Sequence, residues 1–542
     1  MNHWHSYPVL PTRHESLYGD RIVRCFSPRP ASAYALFANS VQRWPDAQAV
    51  VFEGHRWSYA QTQAQAEPIA AGLAAQGVGR GDRVAMLIDN RPEFVFVLLA
   101  IQRLGAVAVP IGVREQRPGV AYVLGQCGAK AIVFDAALAE RVPDAAEAPS
   151  VSVRVVIGDA NGATGDAIDA VALTSLTTTG ADRPASPATD VDEQDAAVIL
   201  YTSGTTGKPK GAVLTHLNVV HSALHYEACM GLKAGDRSAL AVPASHVTGL
   251  IATIASMLYV GGTVVIVPAF KAATFIDLIA AERVTHTLMV PAMYNLCLLA
   301  PNFADRDLKS WRLGGYGGAP MPVATIDALT QRLPQLTLLN AYGATETTSP
   351  VTMMPAGETR GHADTVGVAL PCADIRVMDD EGHELPAGES GELWIGGPMV
   401  VPRYWDNPQA TATGFTAGYW HSGDLGSVDA QGYVRIFDRK KDMLNRGGFK
   451  IYSVEVENTL MALPGVVEAA IVGMPCPVLG ERVHAFIYAP DAPHDDGAAR
   501  QHCAAALADY KVPESITWTA APLPRNANGK VMKRLLREQL PV

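Results

Sequence analysis

The chain has 542 residues, 48% of them hydrophobic, so it can bury more than one core and is too long for a single ordinary domain. A formal charge of −10 and a pI near 5.8 exclude a global attraction for nucleic acid or an anionic membrane, so an anionic ligand needs local basic sites. The seven cysteines are scattered without C-x-x-C or metal-ligand spacing, which points to a reduced, cytoplasmic protein without a structural metal.

The opening MNHWHSYPVLPTRHESLYGDR has no apolar h-region, which argues against a signal peptide. Beyond it, apolar runs of strand length alternate with helical patterns, as in an α/β protein with parallel sheets. RVAMLID (83–89) reads as a strand. Asn90 and Pro92 start a helix, EFVFVLLAIQRL, that Gly105 stops, and AVAVPI is the next strand. From 141 to 192 the composition turns to Ala, Asp, Ser, Thr and Gly and reads as loop around one peripheral strand, VSVRVVIG. AVIL (197–200), SALAVP (238–243), TVVIVP (263–268) and THTLMVP (285–291) read as further buried strands. Thr248 to Val267 is uncharged and long enough to span a membrane, but Gly261-Gly262 divides it into a helix-like and a strand-like half. A buried helix followed by a buried strand is the expectation. No internal repeat and no heptad run occurs.

A sharper boundary falls near 439. After the strand GYVRIF comes the charged run Asp438-Arg439-Lys440-Lys441-Asp442, read as a linker. The remainder reads as a small α+β unit: the helix IYSVEVENTLMAL, the strands VVEAAIVGM and ERVHAFIY, and a basic helix from Lys530 to Leu540.

The strongest chemical signal is Tyr201-Thr-Ser-Gly-Thr-Thr-Gly-Lys-Pro-Lys-Gly211, directly after AVIL. Gly204, Gly207 and Gly211 let backbone N–H groups turn inward as an anion nest. Ser203, Thr205 and Thr206 add hydroxyls, and Lys208 and Lys210 add charge, a set built to hold a polyphosphate. Pro209 after Lys208, and the glycine spacing, exclude a Walker A loop.

Further segments follow: Gly314-Gly-Tyr-Gly-Gly-Ala-Pro320, a Gly-rich turn; Asn340-Ala-Tyr-Gly-Ala-Thr-Glu346 after the strand LTLLN; Trp420-His-Ser-Gly-Asp-Leu425; Phe437 to Lys450; and Pro524-Arg-Asn-Ala-Asn-Gly-Lys530. Taken in this order, from about Ala33 to Leu540, they resemble the superfamily of acyl-CoA synthetases, nonribosomal-peptide adenylation domains and luciferases. The resemblance implies an α/β fold: a large N-terminal domain (1–438) of parallel and mixed sheets with flanking helices, a hinge at 439–441 centred on Lys441, and a small mobile α+β C-terminal domain (442–542). It implies ATP, Mg²⁺ and coenzyme A as cofactor and cosubstrates.

The same resemblance assigns roles. Tyr342 stacks on adenine beside Asn340, Ala341 and Gly343, and Gly317, Gly318 and Ala319 let the backbone approach the base. Thr345 contacts the α-phosphate. Glu346, with Thr202 as hydroxyl partner, holds Mg²⁺, in keeping with the oxygen preference of a hard cation. Asp424 binds both ribose hydroxyls, Arg439 also reaches the ribose, and Ile436 belongs to the same nucleotide site. Gly447 and Gly448 approach the pantetheine arm, and Asn445 stands where many relatives carry Lys. Lys530 bridges the attacking carboxylate and the α-phosphate, placing charge where the transition state needs it. His246 joins Lys530, Glu346 and Thr202 as a catalytic candidate at the mouth of an acyl pocket. Val247, Thr248, Gly249, Gly315, Tyr316, Gly317, Ala344 and Ser349 line that pocket, and Ser245 departs from the Phe often found before this His.

No Arg or Lys falls on that wall, which argues against a dicarboxylic substrate and favours a medium- or long-chain fatty acid. An aromatic or alicyclic acid is the close alternative, and a stand-alone adenylation enzyme loading a carrier protein would share every motif. The expected partners are a small carboxylic acid, ATP and CoA, with no nucleic acid and no transmembrane segment, and with a homodimer left open.

Overall fold

Strand-length apolar runs become the interiors of two large sheets in the computed structural model, which describes residue 4 and residues 10–158, 169–181, 188–202, 208–525 and 531–540. Both sheets belong to a first compact unit made of Met1–Ile375, Ile395–His421 and Gln431–Val434. The seven-stranded sheet runs Lys210–Thr215, Ala196–Thr202, Val107–Pro110, Arg83–Leu87, Ala131–Asp135, Val153–Ile157, Val171–Ala172. Its pairs are parallel except the first, which is antiparallel.

The nine-stranded sheet runs Val368–Ala369, Ser349–Met353, Thr337–Ala344, Leu313–Tyr316, His286–Met289, Arg237–Leu240, Thr263–Ile266, Gln48–Phe52, His55–Ser58. From Thr337–Ala344 to Gln48–Phe52 it is parallel, with antiparallel edges. Side chains buried on both faces explain why these strands read as continuous apolar runs. Thr202, Gly317 and Ala344 lie at or just past the carboxyl ends of strands, where open α/β sheets take ligands.

Local signals place the helices. Pro92 occupies the first turn of Pro92–Arg103, and Thr215 caps His216–Met230 in a reciprocal box with Asn218. Asn90, expected to start a helix, does another job: Arg91 is the N-cap, and the Asn90 amide donates to the carbonyls of Leu240, Val242 and Val267 and accepts from Ala244 N–H. A buried amide is stable only when its donors and acceptor are matched in this way.

The uncharged stretch at 248–267 folds as expected, a buried helix, Gly261 in the left-handed region at φ 75°, then a strand. Its first eight residues, Thr248–Ala255, are wound as a π-helix. Among the described residues no helix is long and apolar enough to cross a membrane. The stretch at 141–192 is not loop around one strand only, because Leu173–Ala181 is a helix. Its Thr-rich sequence has weak helix propensity, but Leu176 is buried against the helix Tyr59–Ala75, where Gly72 leaves room for it.

The second unit comprises Arg376–Trp394, Ser422–Ala430 and Arg435–Val542, so by contacts it begins earlier in the chain than the charged run at 438–442. Glu468–Cys476 pairs antiparallel with Gly480–Tyr488, which pairs parallel with Ser515–Thr519. Helices Ser453–Met461 and Asp496–Ala506 bury Val456, Leu460, Ala499 and Cys503 against Ile471, Val483 and Ile487. Asp438 is 3% exposed and bonded to the backbone N–H of Ser453, so one member of the charged run is a core group; burial raises its pKa. The basic terminal helix is confined to Lys533–Arg537 among the described residues, with Lys533 Nζ 2.7 Å from Glu457.

Candidate active site

The phosphate-side elements begin with the buried run AVIL, which makes Ala196–Thr202 a core strand that surfaces at Thr202. Lys210–Thr215 returns antiparallel with Thr202 opposite Lys210. Ser203, Gly204, Thr205, Thr206 and Gly207 lie outside the described residues. What braces both ends is the helix Arg117–Cys127: the Tyr201 hydroxyl donates to Gln126, and the Tyr122 hydroxyl donates to Pro209 O at 3.0 Å. Lys208 Nζ lies 5.9 Å from the centre of the Tyr122 ring, and Lys210 Nζ 5.2 Å from that of Tyr404. Two cations, each over an aromatic ring, thus follow the loop on its C-terminal side.

Glu346 arrives from the other sheet. Thr337–Ala344 is longer than LTLLN, so Asn340, Ala341, Tyr342, Gly343 and Ala344 are themselves strand residues, and Thr345–Thr347 is a single 3₁₀ turn. Thr348 and Ser349 then adopt φ of 52° and 92°. Such backbone is costly for a β-branched residue and collects at functional sites. Glu346 is 8% exposed; its Oε1 accepts from the Tyr404 hydroxyl at 3.0 Å and from Thr202 Oγ1 at 3.4 Å. Burial, and next the Glu346 charge, raise the Tyr404 pKa and keep it the donor.

Thr202 and Glu346, 144 residues apart, therefore meet as the sequence reading required. Carboxylate and hydroxyl oxygens suit Mg²⁺, which takes one or two carboxylates and leaves positions for phosphate oxygens. Among the described residues no three His, Cys, Asp or Glu side chains gather as a metal site, and such a binding mode needs none.

Around the adenine candidates, the Tyr342 ring is half-buried against the main core, and Gly343 is exposed. Gly317, Gly318 and Ala319 form the turn beyond Leu313–Tyr316; a Cβ on Gly317 would overlap the carbonyl of Ala341. The Gly-rich segment is thus only half a turn, because Gly314 and Gly315 are buried strand residues.

On the acyl side, His246, Val247 and Thr248 are half-buried and Gly249 is buried, at the start of the π-helix. His246 O accepts from Leu250 N–H at 2.8 Å, and a Cβ on Gly249 would overlap Pro243 O. Ala344 packs against the same main core as Val247. Ser349 Oγ lies 2.5 Å from the Tyr226 hydroxyl, and Gly315 faces Leu288 and Met230. Tyr316 is a correction. It is 1% exposed and packs in the second core cluster with Met289, Tyr294, Trp311 and Met321, while Val247, Tyr342 and Ala344 pack against the first. Successive strand side chains face opposite ways, so Gly315 and Tyr316 cannot share a wall.

Tyr226, Met230 and Tyr404 were not foreseen. His216–Met230 is buried nearly all round, so no apolar stripe marks a special face, and Tyr404 sits in the ordinary-looking segment PRYWDNP.

In the second unit, Asp424 is 4% exposed and its Oδ1 pairs with Arg439 Nε at 2.6 Å. Ile436 lies on the strand Val434–Arg439 that follows. Lys441 is exposed, and its carbonyl accepts from Arg537 at 3.3 Å. Gly447 and Gly448, at φ 60° and 90°, make the two-residue turn of the hairpin Leu444–Arg446/Phe449–Ile451, and Asn445 Oδ1 accepts from Gly448 N–H. Lys530 lies outside the described residues.

Residues 37–405 match the model of the AMP-binding enzyme family, and residues 455–530 that of the AMP-binding enzyme C-terminal domain. The chain is 35% identical over 485 residues to the long-chain-fatty-acid–CoA ligase FadD13 of Mycobacterium tuberculosis, covering 89% of this chain and 93% of that one. It is 34% identical over 496 residues to a feruloyl-CoA synthase of Amycolatopsis, covering 91% and 96%. The o-succinylbenzoate CoA synthetase MenE of Bacillus subtilis, solved with ATP and a magnesium ion, superposes with a TM-score of 0.80 at 27% identity, covering 93% and 98%. With the family match and the relatives agreeing along nearly the whole chain, it belongs to the AMP-binding enzyme family, within the superfamily of adenylate-forming enzymes that includes the acyl-CoA ligases.

Proposed function

We propose that this chain is an AMP-forming acid–CoA ligase acting on a medium- or long-chain fatty acid. A carboxylic acid and ATP give acyl-AMP and pyrophosphate, and CoA then gives acyl-CoA and AMP. The observation that carries the reading is the meeting of Glu346 and Thr202 beside Lys210, at the two ends of the glycine-rich loop.

A carboxylate is a poor acyl donor because its leaving group would be oxide; adenylation replaces that group with AMP. The protein contributes positioning and electrostatics. Lys208, Lys210 and the loop N–H groups hold the polyphosphate, while Tyr342 takes a face of the adenine and Asp424 accepts from the ribose hydroxyls. Glu346 and Thr202 would hold magnesium, which when bound neutralises charge on the phosphate oxygens. Lys530 supplies the cation between the carboxylate and the α-phosphate. The exposed Gly447-Gly448 turn offers close backbone approach to the pantetheine arm. All seven cysteines are free and buried, which supports a reducing, cytoplasmic setting.

The fatty-acid reading is supported by the uncharged wall of Val247, Thr248, Gly249, Gly315 and Ala344, and by the similarity to FadD13. The Tyr226–Ser349 hydroxyl pair favours a second reading, an oxygen-bearing aromatic acid, in line with the similarity to feruloyl-CoA synthase. A panel of acids scored for pyrophosphate release and for CoA thioester decides. On the first reading kcat/KM climbs about fourfold per methylene, at about 0.8 kcal/mol each, until the chain meets the pocket floor. A flat response with preference for phenolic acids selects the second, and no acid-dependent pyrophosphate release would sink the enzyme reading.

A further inference from the structure

We propose that Tyr404 is a positioning residue that holds the Glu346 carboxylate and the Lys210 ammonium in one fixed register; this rests on reading Glu346 as a metal ligand. The phenol is 6% exposed, and its hydroxyl donates to Glu346 Oε1 at 3.0 Å. The face of its ring lies 5.2 Å from Lys210 Nζ. One side chain therefore touches both an anion and a cation of the phosphate-side elements, by two different interactions.

The backbone around Tyr404 is held just as firmly. Tyr404 pairs with Ala212 as an antiparallel bridge, Trp405 N–H donates to Gly211 O at 2.7 Å, and Val213 N–H donates to Arg403 O at 3.1 Å. Val401 N–H donates to the carbonyl of Glu346 itself at 2.9 Å. The Asn218 amide donates to Pro398 O at 2.7 Å and Val400 O at 3.2 Å, and Gln126 Nε2 donates to Trp405 O at 2.9 Å. The segment 398–405 is thus stitched to the strand that follows the loop and to the turn that carries Glu346. Two of these links end on Glu346 itself, the Tyr404 hydroxyl on its carboxylate and the Val401 amide on its carbonyl.

A carboxylate has a soft terminal torsion, so a metal ligand on a long side chain needs a donor to set its plane. A core-filling role would need the ring alone, which also packs 5.7 Å from Phe415. The hydroxyl is what distinguishes the two roles.

The test compares Tyr404→Phe, which keeps the ring, with Tyr404→Leu, which loses ring and hydroxyl, and with Glu346→Gln. Calorimetry measures Mg²⁺ binding to the full chain saturated with a non-hydrolysable ATP analogue, and separately the analogue without Mg²⁺; melting temperatures report folding. Tyr404→Phe should weaken Mg²⁺ about tenfold, the scale of one hydrogen bond to a charged group, with little change in analogue affinity or melting temperature. Tyr404→Leu should in addition weaken the metal-free analogue, because Lys210 loses its platform. If Glu346→Gln abolishes Mg²⁺ binding while Tyr404→Phe leaves it unchanged, Tyr404 is not a positioning residue. If Glu346→Gln itself leaves Mg²⁺ affinity intact, the metal-ligand reading fails and the proposal with it.

Discussion

Arg439 Nε donates to the Asp424 carboxylate across 2.6 Å, with Asp424 6% exposed at its side chain and Arg439 46%. The acceptor expected to take the ribose hydroxyls is thus already oriented by a cation that water can reach. Asp424→Ala should raise the KM for ATP by about tenfold to a hundredfold, the scale of hydrogen bonds to a charged group. Arg439→Ala should cost less than tenfold, because it only loosens the carboxylate. Steady-state kinetics with varied ATP check this, and a larger effect for Arg439 than for Asp424 would reverse the assignment.

Lys530 is expected to act in one half-reaction only. Lys530→Ala should slow adenylate formation about 10²- to 10³-fold, as for one preorganised charge, while thioester formation from supplied acyl-AMP stays nearly intact. Equal losses in both assays would show that Lys530 is not the adenylation lysine.

The opposite split is expected at Lys441, an exposed residue of the charged run. Lys441→Pro fixes φ and removes a backbone donor. Thioester formation should collapse while acid-dependent pyrophosphate release survives, and unchanged activity in both steps rules out a hinge there.

Acidification should destabilise the fold through its buried histidines. Desolvation lowers His216 and His286 to about 4 and His221 to about 3, from the ordinary 6.5. Between those values the unfolded chain binds protons that the folded chain does not, so stability is full above pH 6.5 and falls as pH drops toward 4. At pH 5 each of the three costs up to about 2 kcal/mol. Glu15, held near 2 by Arg29, adds its loss only below about 4.5. Melting temperatures that are the same at pH 7.5 and at about pH 5 would contradict this account.

Gly249 links packing to the acyl side. A Cβ there overlaps the Pro243 carbonyl, so Gly249→Ala must displace the segment that leads into His246. The expected loss is about 1–3 kcal/mol of stability together with an altered acid preference, read by melting and by the acid panel. A variant with wild-type stability would show that the segment yields freely.

The sequence by itself determined whatever depends on neighbours along the chain. Buried apolar runs made the strands at 83–87, 196–202, 263–266 and 286–289 legible, and Pro92 and Gly105 bounded a helix. The strands that lead into the glycine-rich segment and toward Glu346 were legible in the same way, from AVIL and LTLLN. Only the tertiary structure decided which face each strand residue takes: Tyr316 went to the second core and left Gly315 on the other side, since period-two alternation carries no label for the two faces. It made a helix of Leu173–Ala181 by burying Leu176, against local propensity. It also brought Tyr404 to Glu346, 58 residues away, and Asn90 to the carbonyls of Leu240, Val242 and Val267. Such contacts arise from the packing of distant segments, and a buried polar group finds its partner only after that packing has excluded water.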